Sequence, residues 1–417
     1  MVFKLERLDR FTKNIIIVFA GNFLSNFCNL LYQLLIAHRL ALSEFAAFNS
    51  LLSIFMMIAA PLATIQLVLA KYVSEFNAHQ FSSKISALIS GAFKRVVFFG
   101  GLTLLIFAAF SGTIVNALKI ESLLCGYILA AILALAWISP VFLGSLQGLE
   151  LFGWFSFAQI FPGVAKLIFA VIFLALGYKT AGALGALLIG ALLGLIIVYL
   201  PLKKNVKFGG YAEKIDFRGI VSYLLPVGFA NFCFMALVTT DMVLVRYFFP
   251  QEESGFYSVA QMAGKIFLFL PTAISIVMFP KTSGLKAKNL DTAATLNRSL
   301  VLGTVLSIIA VCLYNLFPGL CLGILTGKPY PEAIFLGRLF AISMSIFSLL
   351  FILISYFLSI NDLRFLKYLG ISVFLQVAMI ILFHRLLWQV QLIICINAVL
   401  LFSLFLFLIY GKNPKTR

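Results

Sequence analysis

Twelve stretches of about 20 mostly apolar residues follow one another along this 417-residue chain. They cover residues 14–36, 45–70, 96–118, 123–146, 154–178, 181–202, 220–249, 255–279, 300–317, 333–358, 365–383 and 392–410. Only 11% of the residues are charged, whereas soluble domains have about a quarter. Because a segment inside a bilayer must satisfy its backbone hydrogen bonds internally, the stretches predict transmembrane helices. We expect an all-α, polytopic membrane protein with 12 transmembrane helices.

Lysine and arginine are unevenly distributed between the two sets of connecting loops. The loops on the same side as the termini hold 22 basic residues, and those on the opposite side hold seven. Cytoplasmic loops carry an excess of basic residues, so both termini are predicted to be cytoplasmic and the protein to be multi-pass in the inner (cytoplasmic) membrane. This bias, with attraction to anionic lipids, accounts for the net charge of +17, and nucleic-acid binding is not expected.

The second half of the chain repeats residues of the first half at a nearly constant displacement. Asn22-Phe23 recurs as Asn231-Phe232, Glu44-x-x-x-Phe48 as Glu253-x-x-x-Tyr257, and Pro61-x-Ala63 as Pro271-x-Ala273. The displacement is 209 positions for the first two matches and 210 for the third. General similarity among apolar helices is the alternative, and the matched Asn, Glu and Pro argue against it. Because each half holds an even number of spans, we predict parallel repeats related by a pseudo-twofold axis along the membrane normal.

A polar stretch near the middle of the chain, PLKKNVKFGGYAEKIDFR at 201–218, separates the two halves. We predict an N-terminal six-helix bundle at 1–202, a cytoplasmic linker at 203–218 and a C-terminal six-helix bundle at 219–417. Transporters built from two repeats bind their substrate at the repeat interface, so we expect the substrate path to lie between the bundles.

The chain shows no sequence signature of an enzyme or of a metal site. The six cysteines and three histidines lack CxxC and HExxH spacing, and no P-loop motif is present. The loops are short, which argues against a membrane-bound polysaccharide polymerase. We predict a protein that is not an enzyme and has no cofactor.

Four amide side chains lie on one face of the first span. Asn22, Asn26, Asn29 and Gln33 follow steps of four, three and four residues, which places them within about 60° of arc on a helix. Such a stripe needs hydrogen-bond partners or water inside a membrane. It is either a seam between two helices or the lining of a hydrated cavity that contacts sugar hydroxyls, and we favour the cavity.

Two lysines lie deep within predicted spans. Lys166 is near the middle of the fifth span and Lys265 near the middle of the eighth, about 15 Å or more from either end. A lysine cannot reach the membrane surface from that depth, so its charge requires water, a partner or an anion. Tyr257, Gln261 and Lys265 share one helix face. A cationic cavity for an anionic substrate and a buried ion pair with Asp241 are the two interpretations, and we favour the cavity.

Two further polar residues belong to the first span of the second half. Asn231 is the repeat copy of Asn22, and Asp241 lies ten residues later. Asp241 either forms a structural pair with Arg246 or Lys265 or binds a coupling cation, and we favour the pair.

Three stretches carry a resemblance to a known family. They are residues 21–48, residues 144–153 (GSLQGLELFG) and residues 241–258. With the repeat and the span count, the chain resembles a polysaccharide or lipid-linked oligosaccharide flippase, similar to O-antigen flippases, of the multidrug/oligosaccharidyl-lipid/polysaccharide exporter superfamily. The Gln147-Gly148 pair and Phe152 look like that family's Gln-Gly-loop-Phe signature.

The resemblance implies a fold and a mechanism. It implies two six-helix bundles in a V shape that alternate between inward- and outward-facing states, with a cationic lumen. The lumen would hold a diphosphate-sugar headgroup while the polyprenyl tail stays in lipid. The candidate lumen residues are Lys166 and Lys265 for the diphosphate, Asn22, Asn26, Asn29 and Gln33 for sugar, and Asn231, Asp241 and Gln261 nearby. The chain is short and its lumen lysines are few, so the match of each lysine to a family position stays open.

Several alternatives and partners follow from the same reasoning. A multidrug and toxin extrusion-type cation antiporter generally needs membrane carboxylates, for which only Asp241 is available. A peptidoglycan-precursor flippase usually has additional spans. The expected partners are a lipid-linked oligosaccharide, membrane lipids, a polysaccharide polymerase and glycosyltransferases, with the transporter itself a monomer. The sequence leaves open whether an H⁺ gradient, an Na⁺ gradient or the membrane potential drives transport.

Overall fold

The computed structural model describes residues 10–205, 217–269 and 271–411, and within these ranges it contains helices and no strand. The helices are α1 Arg10–Arg39, α2 Leu42–Ala78, α3 Ser82–Ala109, α4 Ser111–Ala117, α5 Leu123–Gly148, α6 Phe152–Ala175, α7 Lys179–Asn205, α8 Phe217–Phe248, α9 Gln251–Phe269, α10 Thr272–Ala287, α11 Ala293–Leu316, α12 Pro318–Thr326, α13 Pro331–Ser359, α14 Phe365–Leu382 and α15 Leu387–Tyr410. The predicted all-α class is confirmed.

Ten of these helices are long and apolar enough to cross a membrane. Helix α9 is not among the ten, because it carries Glu252, Glu253 and Lys265. Helices of this length and number make the chain a multi-pass membrane protein.

The predicted eighth span, 255–279, is wrong as a single helix. Helix α9 ends at Phe269 and α10 begins at Thr272, with Pro271 as its N-terminal flanking residue. Proline has no backbone N–H and clashes with the carbonyl four residues earlier, so it disfavours a continuous helix. The predicted third span is likewise divided, since α3 ends at Ala109 and the short α4 follows.

The repeat is visible in the order and the bounds of the helices. Helices α1 and α8 end at Arg39 and Phe248, α2 and α9 begin at Leu42 and Gln251, and α2 and α10 end at Ala78 and Ala287. All three pairs are 209 positions apart, the displacement predicted from sequence. The remaining helices then correspond in order, α3 with α11, α4 with α12, α5 with α13, α6 with α14 and α7 with α15. The copy of α2 is the α9–α10 pair.

The repeat extends to the backbone conformation of the turns. Gln80 and Asn289, 209 positions apart, have φ of 57° and 54°, and Glu150 and Asn361 have φ of 58° and 56°. A left-handed conformation is uncommon for residues other than glycine. Its recurrence at corresponding helix ends supports a shared architecture of the two halves.

The chain divides into two compact units. Unit 1 comprises Met1–Leu40 and Ile58–Gly228, and unit 2 comprises Ala41–Met57 and Phe229–Arg417. Helices α2 and α8 therefore supply residues to both units. The predicted bundle boundaries at 1–202 and 219–417 stay a prediction, and most of the predicted linker 203–218 lies outside the described residues.

Close packing in unit 1 gives the GSLQGLELFG stretch a structural role. A Cβ added at Gly144 would lie 2.5 Å from the backbone oxygen of Gln66, and one at Gly148 would lie 2.6 Å from Cβ of Val73. Small residues allow α5 to approach α2 this closely, as is common between membrane helices. The Gln66 amide also donates to Gln147 Oε1 at 3.3 Å. The motif therefore fixes the α2–α5 contact and the turn into α6.

This contact predicts the effect of one added methyl group. We expect Gly144→Ala to lower the stability of the detergent-purified protein by about 1–3 kcal/mol, because overpacking forces the backbone of α2 and α5 apart. Gly101→Ala is the matched control, since a Cβ at this helical glycine meets no atom within 4 Å. Thermal unfolding checks the difference, and equal melting temperatures for both variants would contradict the packing argument.

Candidate functional site

The amide stripe of α1 faces away from the packed interior of unit 1. Asn22, Asn26 and Asn29 are exposed and Gln33 is half-buried. The buried residues of this helix are on another face. They include Cys28, against which a Cβ at Gly163 of α6 would lie 2.9 Å away. Small residues therefore allow α1 and α6 to pack closely on this face.

Lys166 of α6 reaches the edge of this stripe. Its ammonium donates a hydrogen bond to Asn29 Oδ1 and lies 4.8 Å from the centroid of the Tyr32 ring. The Tyr32 hydroxyl is buried and donates to the backbone oxygen of Ala183 at 2.7 Å, which fixes the ring beneath the cation. Cation–π contacts of this kind stabilise a partly desolvated ammonium.

The position of Lys166 along α6 keeps its charge inside the apolar part of the helix. It lies nine residues before Ala175, or about 13 Å at 1.5 Å per residue, and farther from Phe152. Its side chain is half-buried, and among the described residues no carboxylate pairs with it. A cation without a carboxylate at this depth is suited to an anionic ligand.

Unit 2 contains a buried polar cluster centred on Asp241 of α8. Its carboxylate accepts a hydrogen bond from the Tyr257 hydroxyl at 2.7 Å and from the Gln261 amide at 3.0 and 3.1 Å. All three residues are at most 1% exposed. Tyr257 and Gln261 are one helical turn apart on α9, so the predicted shared face is observed. The two donors stabilise a carboxylate in a place without water.

The cluster continues into two helices that the sequence analysis did not connect with it. Gln391 of α15 lies 3.4 Å from the Tyr257 hydroxyl and donates to Ser343 of α13. Both side chains are fully buried. Helices α8, α9, α13 and α15 are therefore joined by one hydrogen-bond chain.

Lys265 lies beside this cluster, one turn beyond Gln261. It is half-buried and interacts electrostatically with Asp241. Arg246, the other predicted partner of Asp241, is placed elsewhere, since its guanidinium donates to the backbone oxygen of Gln251 at 3.4 Å and interacts with Glu44. Arg246 is 2% exposed and therefore buried, although it lies near the end of α8.

The other predicted site residues lie outside the Lys166 contacts and the Asp241 cluster. Asn231 is half-buried and lies ten residues before Asp241, about 15 Å along α8. Asn22 and Asn26 lie on the exposed face of α1. No group of three or more potential metal ligands occurs among the described residues.

Several polar residues of the interior were missed by the sequence analysis. Besides Tyr32, Ser343 and Gln391, they include Gln376, which donates to the backbone oxygen of Leu237 at 2.8 Å, and Asn397, which donates to Gln376 at 2.9 Å. The signal was available, because amides within apolar spans require partners. Periodicity pointed to the α1 stripe because four amides recur there, whereas these residues occur singly.

The chain shares its fold with transporters of the MOP superfamily. The chain is similar to an inward-facing multidrug resistance MATE family transporter of that superfamily, with 12% identity, a TM-score of 0.76 and coverage of 94% of this chain and 96% of that one. It is also similar to the lipid II flippase MurJ in an inward closed conformation (13%, TM-score 0.71, coverage 96% and 88%) and to a MOP superfamily transporter from Pyrococcus furiosus (14%, TM-score 0.62, coverage 96% and 97%). At such identities the likeness shows the fold.

The family follows from sequence. Residues 11–286 match the family model described as polysaccharide biosynthesis protein, so the chain belongs to that family. A search of curated proteins found no match to the chain. The family resemblance inferred from residues 21–48, 144–153 and 241–258 is confirmed.

The Asp241 cluster predicts an energetic cost for one substitution. We expect Asp241→Asn to lower the free energy of unfolding by about 1–3 kcal/mol. Tyr257 and Gln261 donate to the carboxylate oxygens of Asp241, and the Asn side chain would place an N–H donor where one of these acceptor oxygens now lies. Asp291→Asn is the control, because exposed Asp291 accepts from the backbone N–H of Ala293 at 3.0 Å and Asn serves equally well in that position. Thermal unfolding in detergent measures both, and an unchanged melting temperature for Asp241→Asn would contradict the cluster.

Proposed function

We propose that this protein is a flippase that moves a lipid-linked, polyprenyl-diphosphate oligosaccharide or polysaccharide precursor across the cytoplasmic membrane by alternating access. Membership of the polysaccharide biosynthesis family supports the class of substrate. The observation that carries the proposal is the half-buried Lys166 ammonium, which lies deep within its helix beside exposed amides.

The chemistry of this group suits a diphosphate-sugar headgroup. An ammonium has three N–H donors, and Asn29 accepts one of them, so the others remain for phosphate oxygens. Charge-assisted hydrogen bonds are the strong ones in a medium of low dielectric constant. Asn22 and Asn26 offer both donors and acceptors on the same helix face, as sugar hydroxyls require.

Lys265 has a secondary role in this proposal. The Asp241 carboxylate offsets its positive charge, whereas no carboxylate pairs with Lys166 among the residues that the structure describes. We therefore assign the larger share of diphosphate binding to Lys166. Asp241 and Gln261 are assigned to holding Lys265, and Asn231 to the sugar side.

Translocation breaks no covalent bond, so the proposal needs neither a catalytic residue nor a cofactor. It requires an enzyme that attaches the sugars on the cytoplasmic side and one that uses the precursor on the other side. Glycosyltransferases and a polysaccharide polymerase are the proposed partners. An ion gradient or the membrane potential would supply the energy.

Transport in proteoliposomes tests the proposal. With a fluorescent polyprenyl-diphosphate oligosaccharide, Lys166→Met is expected to lower the initial flipping rate about 10- to 100-fold, as the loss of charge-assisted bonds worth about 1.5–3 kcal/mol implies. Lys265→Met is expected to have a smaller effect. Lys94→Met is the control, since Lys94 is exposed outside the proposed site.

Two outcomes would contradict the proposal. If the Lys166→Met variant flipped the precursor at the unsubstituted rate, the assignment of Lys166 to diphosphate binding would be rejected. If the unsubstituted protein flipped none of the polyprenyl-diphosphate sugars offered, the proposed substrate class would be rejected.

A cation antiporter is the second candidate, and one observation favours it. Asp241 is a carboxylate at 0% exposure in a fold shared with MATE family transporters. Both of its oxygens already accept hydrogen bonds from Gln261, which leaves less capacity for a cationic drug. Cells that lack the protein would lose resistance to cationic dyes while keeping their surface polysaccharide if this candidate were right. The opposite pattern is expected for the flippase.

A further inference from the structure

Tyr32 of α1 and Asp241 of α8 occupy the same position of the repeat. They are 209 positions apart, and the last residues of the two helices, Arg39 and Phe248, are separated by the same displacement. Tyr32 is 3% exposed and Asp241 is 0% exposed. The two helices therefore carry a buried side chain at corresponding points, which is aromatic in unit 1 and acidic in unit 2.

Each of these side chains lies beside a lysine that is deep within its unit. The Lys166 ammonium lies 4.8 Å from the centroid of the Tyr32 ring, and Lys265 interacts electrostatically with Asp241. Lys166 belongs to α6 and Lys265 to α9, and these two helices are not copies of each other in the repeat. The repeated feature is therefore the position next to the lysine and not the lysine itself.

Helix α7 fixes the geometry of the Tyr32–Lys166 contact at two points. The Tyr32 hydroxyl donates to the backbone oxygen of Ala183 at 2.7 Å, which holds the ring. A Cβ added at Gly190, about two turns farther along α7, would lie 3.1 Å from Cβ of Lys166 and 2.8 Å from the backbone oxygen of Pro162. Glycine therefore lets α7 pack against the stem of the lysine. The position of the ammonium thus depends on the packing of three helices, α1, α6 and α7.

The two partners have opposite consequences for an anionic ligand. The face of an aromatic ring attracts a cation through its quadrupole but has no net charge, so the Lys166 ammonium keeps its charge beside Tyr32. A carboxylate cancels the charge of the cation next to it, so a phosphate that approaches Asp241 and Lys265 meets little net attraction. Tyr257 and Gln261 hold the Asp241 carboxylate in place by donating hydrogen bonds to it.

We propose that the repeat position of Tyr32 and Asp241 determines which of the two lysines binds the anionic headgroup. Tyr32 is a positioning residue that holds Lys166 without neutralising it, and Asp241 is the counter-ion that neutralises Lys265. This inference rests on the proposed function, because the anion to which it refers is the diphosphate of the precursor. One substitution at one repeat position thus makes the two units unequal in their affinity for phosphate.

Binding of inorganic pyrophosphate to the detergent-purified protein tests the role of Tyr32 without any transport. Isothermal titration calorimetry measures Kd for the unsubstituted protein and for four variants. Tyr32→Phe keeps the ring and is expected to change Kd less than about threefold. Tyr32→Leu and Tyr32→Asn lose the ring and are expected to raise Kd about 3- to 10-fold, as the loss of one cation–π contact implies.

Tyr32→Asp and Tyr32→Asn form a matched pair that differs in charge and hardly in size. Tyr32→Asp places in unit 1 the residue that unit 2 has at this position. It is expected to raise Kd about tenfold or more above that of Tyr32→Asn, to the value of Lys166→Met. Equal Kd values for the pair would overturn the proposal. So would tight binding by Tyr32→Leu, or the absence of pyrophosphate binding by the unsubstituted protein.

A double substitution separates positioning of the lysine from a general loss of packing. In the Lys166→Met background, Tyr32→Leu is expected to change Kd less than about twofold, because it acts through the lysine. A further loss as large as in the single variant would overturn the positioning role. Phe155→Leu is the packing control, since Phe155 is a 5% exposed aromatic side chain in the hydrophobic core of unit 1. It is expected to lower the melting temperature and to leave Kd unchanged.

The reciprocal prediction concerns Lys265. In the Lys166→Met background, Asp241→Asn removes the counter-ion and is expected to lower Kd at least about tenfold, because the second lysine then attracts pyrophosphate. A damaged protein does not gain affinity, and adding Lys265→Met is expected to abolish the gain. No gain in a protein that keeps a cooperative thermal transition would overturn the role of Asp241. Asp241→Ser takes the place of Asp241→Asn if that variant does not fold.

Flipping assays with the same variants separate this inference from the proposed function. The flipping rates are expected to fall in the order Tyr32→Phe, Tyr32→Asn, Tyr32→Asp. If Lys166→Met abolished flipping while Tyr32→Asn and Tyr32→Asp flipped at equal rates, the inference would be overturned and the flippase proposal would stand. If the Kd values followed the expected order but the unsubstituted protein flipped no precursor, the flippase proposal would be rejected and the assignment of the two lysines would stand.

Discussion

The absence of water from the hydrocarbon core is the constraint on which this structure depends. Backbone N–H and C=O groups must be satisfied within each segment, which leaves helices as the elements of a chain this apolar. The same constraint acts on side chains, because an amide, carboxylate or ammonium at membrane depth needs a partner or a hydrated surface. Asp241 has its partners in Tyr257 and Gln261, whereas the Asn22, Asn26 and Asn29 side chains of α1 are exposed. We therefore propose a structural role for the first kind of polar group and a ligand-binding role for the second.

Much of the fold was predictable, because long apolar runs and a repeat are strong signals. The all-α class and the displacement of 209 followed from the sequence and agree with the helix bounds. The helix interruption at Pro271 was not predicted. The repeat copy of this residue, Pro61, lies inside a continuous helix. Proline lowers the stability of a helix at either place, and the surrounding contacts decide whether it ends. Such contacts are not readable from hydropathy.

The candidate site was predictable in part. Depth within a span identified Lys166 and Lys265, and helical spacing identified the shared face of Tyr257 and Gln261. Partners across helices could not be read from one sequence, since the Tyr32 ring and Gln391 are brought to their contacts by tertiary packing. The buried position of Arg246 could not be read from the sequence for the same reason. A basic residue at the end of a span commonly lies at the membrane surface, but here it is buried against Gln251.

The Asn49 amide donates a hydrogen bond to the Ser258 hydroxyl at 2.8 Å, and the two residues are 209 positions apart, which is the displacement of the repeat. This bond has a consequence for how a duplicated chain can specialise. In a dimer of two identical chains, the residue at such a position meets its own copy and must serve as both donor and acceptor. Within one chain the two positions are encoded separately, so one can hold an amide and the other a hydroxyl. The single chain can therefore adjust the strength of this hydrogen bond by changing one of its two partners alone. A symmetric dimer would have to change both copies at once.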